Sequence, residues 1–308
     1  MRKIILEIYY TFIYYIPNFI RELILCIQRK PIVYLLTFLD FRKGKFHNGN
    51  WGDDLNYYFI GRFTNKRIVP FQYSLIARWF NKQNYMCIGS MIHDVNSNTI
   101  VWGSGVIADD AKYEIKEKPK KVVGVRGKLT REYLLKRGIK CPEVYGDPAL
   151  LLPLIYQKEI KKTKYKLGII PHIYDENNEF IQKASIDSDI LVISMKKYDD
   201  WHEVIDQICS CEMIISSSLH GVIISDAYNI PNSWVEFSDK VIGKGFKFRD
   251  YFSSVGKVIN EPIFISQDIE IEYFKEKNKN WCPPQINLQP LIEACPFENL
   301  KIILKKNL

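Results

Sequence analysis

A chain of 308 residues exceeds what a single hydrophobic core usually supports, so two domains of ordinary size are expected. Its 47% hydrophobic and 25% charged residues are those of a globular protein, with no low-complexity segment or internal repeat standing out. Seven scattered cysteines without a C-x-x-C pair point to reduced, mostly buried thiols in the cytoplasm, and the five histidines do not pair with them at zinc-ligand spacing, so no metal is expected.

The formal charge of +8 is unevenly distributed: residues 1–45 hold eight Lys/Arg against three acids. These bases flank apolar, Tyr-rich runs at Ile4–Ile20, Leu23–Ile27 and Pro31–Phe41. Glu7, Pro17, Arg21 and Glu22 interrupt them, which argues against a spanning helix, and Glu7 with no small-residue cleavage site argues against a secretory signal. Two readings remain: a pair of core helices, or an interfacial amphipathic anchor suited to an anionic membrane surface. Bases interleaved with stackable aromatics on a platform are not evident elsewhere, so nucleic acid is not an expected partner.

From residue 46 the chain alternates strands and helices. His47–Asn56 is a polar, glycine-bearing loop, and Leu55, Tyr58, Phe59 and Phe63 then recur at helical spacing. Asp53 or Asp54 would cap that helix, or place a carboxylate at a cleft edge able to accept a proton from a sugar hydroxyl. Two strand-then-glycine units follow, Tyr85-Met-Cys-Ile-Gly-Ser-Met91 and Thr99-Ile-Val-Trp-Gly-Ser-Gly105, where a ligand or another backbone could approach closely. Neither is a G-x-G-x-x-G fingerprint. Lys121–Val125 predicts a strand ending in Arg126-Gly127, with a helix from Thr130. An arginine there suits bidentate recognition of carboxylate or phosphate, and equally a surface position. Glu143–Pro148 ends another strand, and the lysine-rich stretch Gln157–Lys166 reads as an interdomain linker.

The second half restarts the alternation. Strands are expected at Lys166–His172 and Asp189–Met195, and Asp200 with Glu203 resembles a capping box opening a helix through Val204, Ile205 and Ile208. Met213, Ile214 and Ile215 form a short buried strand, after which Leu219, Val222, Ile223 and Ala227 recur with helical spacing. Between them Ser216, Ser217 and Ser218 precede Leu219-His220-Gly221, collecting hydroxyls and an imidazole where amides of a new helix are unpaired. Such an end favours an anion by roughly 0.3 to 1 kcal/mol when exposed; a serine N-cap beside a packed histidine is the plain alternative. A strand at Ser233–Phe237, a basic and aromatic turn at Gly243–Tyr251 and a helical pattern at 286–308, broken at Pro296, complete the chain. The fold class is therefore α/β, two doubly wound, Rossmann-like domains facing one another across a cleft. The expected organisation is an apolar, basic helical segment at 1–45, an acceptor-side α/β domain at 46–160, a donor-side α/β domain at 161–265 and a helical tail at 266–308.

Taken in order, Asn50-x-Gly52-Asp53, Trp102-Gly-Ser-Gly105, Val125-Arg-Gly127, Tyr145-Gly-Asp-Pro148, Ile169-Ile-Pro-His172, Ser216-Ser-Ser-Leu-His-Gly221 and Phe246-Lys-Phe-Arg-Asp-Tyr251 resemble the polysaccharide pyruvyltransferase family, in its bacterial exopolysaccharide and capsule branch. The resemblance covers roughly residues 46–255. It implies a GT-B-like fold and transfer of the enolpyruvyl carbons of phosphoenolpyruvate to a sugar of a polysaccharide or lipid-linked oligosaccharide, usually as a ketal, with no metal or organic cofactor. The family's donor-binding histidine corresponds to His220 and its first-domain arginine to Arg126. Some members carry arginine where this chain has Ser218, so charge neutralisation falls to Arg126, Lys247 and Arg249, with Ser216, Ser217, Ser218 and Leu219 completing the donor loop. His220 would be the acid for the methylene carbon and Asp53 the base or acceptor-positioning group, with Asn50, Asp54, Ser104 and His172 along the acceptor side. The implied location is cytoplasmic, peripheral at the inner face of the membrane if residues 1–45 bind it. Two rivals are a GT-B glycosyltransferase using a nucleotide sugar and an inactive, membrane-associated assembly component.

Overall fold

The computed structural model describes residues 2–157 and 163–308. Most of the expected linker, at 158–162, lies outside the described residues. Among the described residues, ten strands form two five-stranded sheets in which every strand pairing is parallel. The first contains β1 (Ile32–Leu35), β2 (Arg67–Pro70), β3 (Asn84–Met86), β4 (Thr99–Trp102) and β5 (Lys121–Gly124), in the order β2-β1-β3-β4-β5. The second contains β6 (Leu167–Ile170), β7 (Ile190–Val192), β8 (Ile214–Ser216), β9 (Asn232–Glu236) and β10 (Ile263–Phe264), in the order β10-β9-β8-β6-β7. Counted from its own first strand, each half therefore has the order 2-1-3-4-5. That doubly wound order has its switch point between the first and third strands, where ligands bind beyond the carboxyl ends. The two switch points lie at β1/β3 and β6/β8.

The parallel strands are short, apolar and covered on both faces, as sheets built from crossover connections must be. In the helix Trp201–Cys209, Val204, Ile205 and Ile208 face the core. Asp200 accepts from the amide of His202, and Glu203 reaches back to the amide of Asp199 at 2.8 Å, one residue earlier than a standard capping box. The halves share one continuous core. The buried turn Pro148–Leu154 packs on the helix Leu219–Ala227 of the second half, and Leu150, Leu151 and Leu152 join Val222, Ile223 and Ile224 in a single cluster.

Three departures from the sequence reading follow from tertiary packing. Residues 32–35, inside the expected N-terminal helical segment, are β1, with strands on both sides. The C-terminal helices Gln289–Glu293 and Glu298–Asn307 return to the first half, where the Trp102 indole donates to the Leu291 carbonyl at 2.8 Å and Phe297 packs on Tyr85. The expected turn at Gly243–Tyr251 is a turn only as far as Gly245. From Phe246 it is a helix to Ser254, because Phe248, Tyr251 and Phe252 fall on one buried face at three- and four-residue spacing. Among the described residues no disulfide is formed, and five of the seven cysteines are buried.

Candidate active site

A cavity of about 380 Å³ lies between the two switch points. Its walls include Phe38 beyond β1, Ser90 and Met91 beyond β3, His172, Ile173 and Tyr174 beyond β6, and Ser218, Leu219 and His220 beyond β8. Asn50 and Asp53 enter from the first half and Lys247 from the second. A larger surface groove runs along Lys118–Lys121 and Gly138–Pro142, but it lies at the opposite, amino-terminal end of β5, and its titratable lining is lysines and Cys141, without a histidine or carboxylate.

The Asn50-x-Gly52-Asp53 motif and the serine-histidine loop meet directly. A Cβ on Gly52 would lie 1.9 Å from His220 Nδ1, so glycine is what lets the imidazole of one half lie against the helix Trp51–Leu55 of the other. That helix is tied to the second half by two further bonds: the Trp51 amide donates to the Met195 carbonyl and its indole to the Trp201 carbonyl, both at 2.7 Å. Asn50 Nδ2 donates to Asp53 Oδ2 at 2.8 Å and fixes the carboxylate at the wall.

The loop after β8 is built by its serines in different ways. Ser216 Oγ accepts from the Ser218 amide and has one proton to donate, to the Ser218 carbonyl at 2.8 Å or to the Ile170 carbonyl of β6 at 3.0 Å. Gly221 is required beside it, since a Cβ there would meet Ser216 Oγ at 2.3 Å. Ser217 Oγ accepts from the His172 amide at 2.7 Å and donates to Asp175, joining the ends of β6 and β8. Ser218 is the N-cap of the helix Leu219–Ala227 and makes no side-chain capping bond. Ser218 lines the cavity, beside first-turn amides that an anion would satisfy.

Burial sets the electrostatics. The His220 imidazole is pushed down to about 3 by desolvation, then by the charges of Lys247 and Arg126, and its Nε2 has no hydrogen-bond partner. His172 is lowered to about 3 by desolvation, then by Lys247 and Lys196. Desolvation, helped by the neighbouring Asp54, lifts the Asp53 carboxyl to about 7, against the pull of Asn50 and Lys247. Lys247 is lowered to about 8 by desolvation and Arg126. Without an anion the cavity thus holds neutral imidazoles, an ammonium that gives up its proton readily and a carboxyl near half-ionisation at neutral pH.

Several expected site residues are placed elsewhere. Arg126 is wholly buried, its Nε donating to Asp250 Oδ2 at 2.9 Å, Nη2 to the Val106 carbonyl at 2.7 Å and Nη1 to Ser90 Oγ. Each of its nitrogens has a partner within the protein, and its charge acts on the cavity from behind Ser90. Asp54 turns inward, accepting from Tyr198 OH at 2.5 Å and the Gly49 amide at 2.6 Å. Ser104 is buried and donates to the Gly89 carbonyl. Arg249 points to the Asn260 carbonyl, away from the cavity. Missed by sequence reasoning were Asp250, His93, Tyr113 and Ser90. Ser90 had a signal in the Gly89-Ser90 end of β3; His93 and Tyr113 had none, since they sit in single-turn helices, Ile92–Asp94 and Ala111–Tyr113, too short for periodicity. Among the described residues no group of three or more His, Cys, Asp or Glu is placed to hold a metal ion.

The model of the polysaccharide pyruvyl transferase family matches residues 10–238, three-quarters of the chain and every cavity-lining motif except that of Lys247 and its neighbour Ile242. The chain belongs to that family. Among individual proteins it is 31% identical over 212 residues to the uncharacterised protein L143 of Acanthamoeba polyphaga mimivirus, covering 67% of this chain and 71% of that one. It is 24% identical over 220 residues to the succinoglycan biosynthesis protein ExoV of Rhizobium meliloti strain 1021, covering 68% of this chain and 62% of ExoV. A solved structure of an uncharacterised Klebsiella pneumoniae protein matches 81% of this chain and 99% of its own, at 15% identity and a TM-score of 0.44. Membership gives the paired α/β units a coarse task, transfer of pyruvyl groups in polysaccharide biosynthesis.

Proposed function

We propose that this family member transfers the three carbons of phosphoenolpyruvate to two hydroxyls of a sugar in a polysaccharide or lipid-linked oligosaccharide, forming a cyclic ketal and releasing inorganic phosphate. We read its two units as GT-B-like, with the donor held by the second. The observation that carries this is the meeting of His220, Asp53 and Lys247 from both halves on one cavity beside the uncapped helix Leu219–Ala227.

The chemistry has a balanced proton inventory. The donor methylene gains one proton and becomes a methyl, C2 becomes cation-like, two sugar hydroxyls add to it and lose their protons, and the C2–O bond to phosphate breaks. One hydroxyl proton balances the methyl and the other leaves on phosphate. Ser218, the first-turn amides and Lys247 would hold the phosphate. That dianion next to His220 reverses the balance that keeps the imidazole neutral, so the acid is armed when donor is bound. Asp53, ionised beside the imidazolium and Lys247, would receive the hydroxyl proton. General acid catalysis of this kind contributes about 10² to 10⁴ fold.

The test is incubation with phosphoenolpyruvate and lipid-linked oligosaccharide precursors. Phosphate should appear only when both are present and with no added metal, and the glycan should gain one pyruvate less one water by mass spectrometry. Sugar transfer from a nucleotide sugar instead would replace this reading with the glycosyltransferase one.

A further inference from the structure

The helix Ile16–Ile27, which follows the helix Arg2–Tyr10 and a π-turn at Thr11–Tyr15, is built inside out. The side of Ile16–Ile27 that faces the protein carries Asn18 and Glu22, both buried, with Leu25. Asn18 Nδ2 donates to the carbonyls of Tyr14 and Phe41, each at 2.8 Å. The Glu22 carboxylate accepts from Tyr34 OH at 2.7 Å and Ser74 Oγ at 2.6 Å. The opposite side is a stripe of Ile16, Ile20, Leu23, Ile24 and Ile27, between 39% and 80% exposed. At 100° per residue these five fall on one face. The apolar surface continues across the Phe19–Trp79 ring contact to Trp79 and Phe80, which are 66% and 67% exposed.

We propose that this face docks on an anionic phospholipid bilayer, with the helix axis in the plane of the headgroups. Charge selects that occupant. Arg29 and Lys30 end the stripe, both exposed, Arg78 lies over the Tyr15 ring and Lys82 over Phe80. Of the three acids in residues 1–45, Glu22 is withdrawn by burial and Asp40 by its 2.8 Å pair with Arg42, which leaves Glu7, exposed on the preceding helix Arg2–Tyr10, against these bases. An apolar stripe with tryptophan and a basic rim fits the boundary between acyl chains and anionic headgroups, whereas the interface with a second protein is usually depleted of lysine. Among the described residues no helix is long and apolar enough to cross a membrane, so the contact is with one leaflet.

The full chain is sedimented with vesicles of phosphatidylcholine alone and of phosphatidylcholine mixed with phosphatidylglycerol. The wild type should pellet with the anionic vesicles and be released as salt rises. The combined Ile16→Ser, Ile20→Ser, Leu23→Ser, Ile24→Ser variant should partition at least about tenfold less with its melting temperature retained, because these side chains already face water. Should that variant misfold, the combined Arg29→Glu, Lys30→Glu variant decides, and unchanged partitioning by it overturns the proposal. A wild type left in the supernatant at low salt also overturns it. So does light scattering that shows a dimer which the serine substitutions split, since the occupant would then be a second copy.

Discussion

Replacing Gly52 by alanine perturbs the candidate site at the point where the halves touch. By backbone conformation alone Gly52→Ala should stabilise the helix Trp51–Leu55 by up to about 1 kcal/mol. The new Cβ, however, would stand 1.9 Å from His220 Nδ1, 2.4 Å from Cγ and 2.6 Å from Cε1. The ring must retreat by about 1.5 Å to reach an ordinary contact. Its own helix cannot yield, because Val222, Ile223 and Ile224 behind it are completely buried, so the imidazole must swing into the cavity. Overpacking of this kind costs about 1 to 3 kcal/mol, leaving a net destabilisation between nothing and about 3 kcal/mol. A catalytic group misplaced by about 1 Å loses about 10² in rate. Thermal melting with and without phosphoenolpyruvate reads donor affinity without any acceptor, and phosphate release with acceptor reads turnover. A well-folded variant with wild-type donor shift and turnover would refute both the contact and the role of His220.

Other outcomes follow from the same geometry. His220→Asn should lower kcat by at least about 10² while the donor still protects against heating; a raised KM with turnover preserved would make the ring a phosphate anchor instead. The Asp53 carboxyl, lifted to about 7, keeps a proton in the folded state that the unfolded chain has already lost, so stability falls as pH rises from about 4 to about 7. Asp53→Asn should therefore raise the denaturation midpoint at pH 8 and leave it nearly unchanged at pH 4, with activity lost; an equal effect at both pH values would show that the carboxyl is not desolvated. Asp250→Ala strands the buried Arg126 and removes acceptors for the Thr130 amide and hydroxyl. Urea denaturation should show a loss of about 3 to 5 kcal/mol, and a loss below about 1 kcal/mol would mean that the guanidinium finds other partners.

The local grammar of the fold was legible because it depends on neighbours in sequence. A short apolar run leading into glycine, serine or a chemistry-bearing residue marks the carboxyl end of a parallel strand: β5 ends on Gly124 and β8 on Ser216, and β3, β4 and β6 reach Gly89, Gly103 and His172 within three positions. Asn50, Asp53, His172, Ser218, His220 and Lys247, read from such ends and loops, do line one cavity. The sequence could not say that both halves share one strand order, because strand order is fixed by which edges pair and leaves no periodicity. Nor could it separate Asp53 from Asp54 or give Arg126 its partner. One carboxylate meets Asn50 at the cavity wall and the other meets Tyr198, 144 positions away, while Arg126 is taken up by Asp250, 124 positions away. The N-terminal helix shows the same limit most plainly. Its periodicity separates an apolar face from a polar one, but Asn18 and Glu22 turn inward only because the Phe41 carbonyl, Tyr34 and Ser74 supply the hydrogen bonds that make burying a polar face cheaper than leaving those groups unpaired.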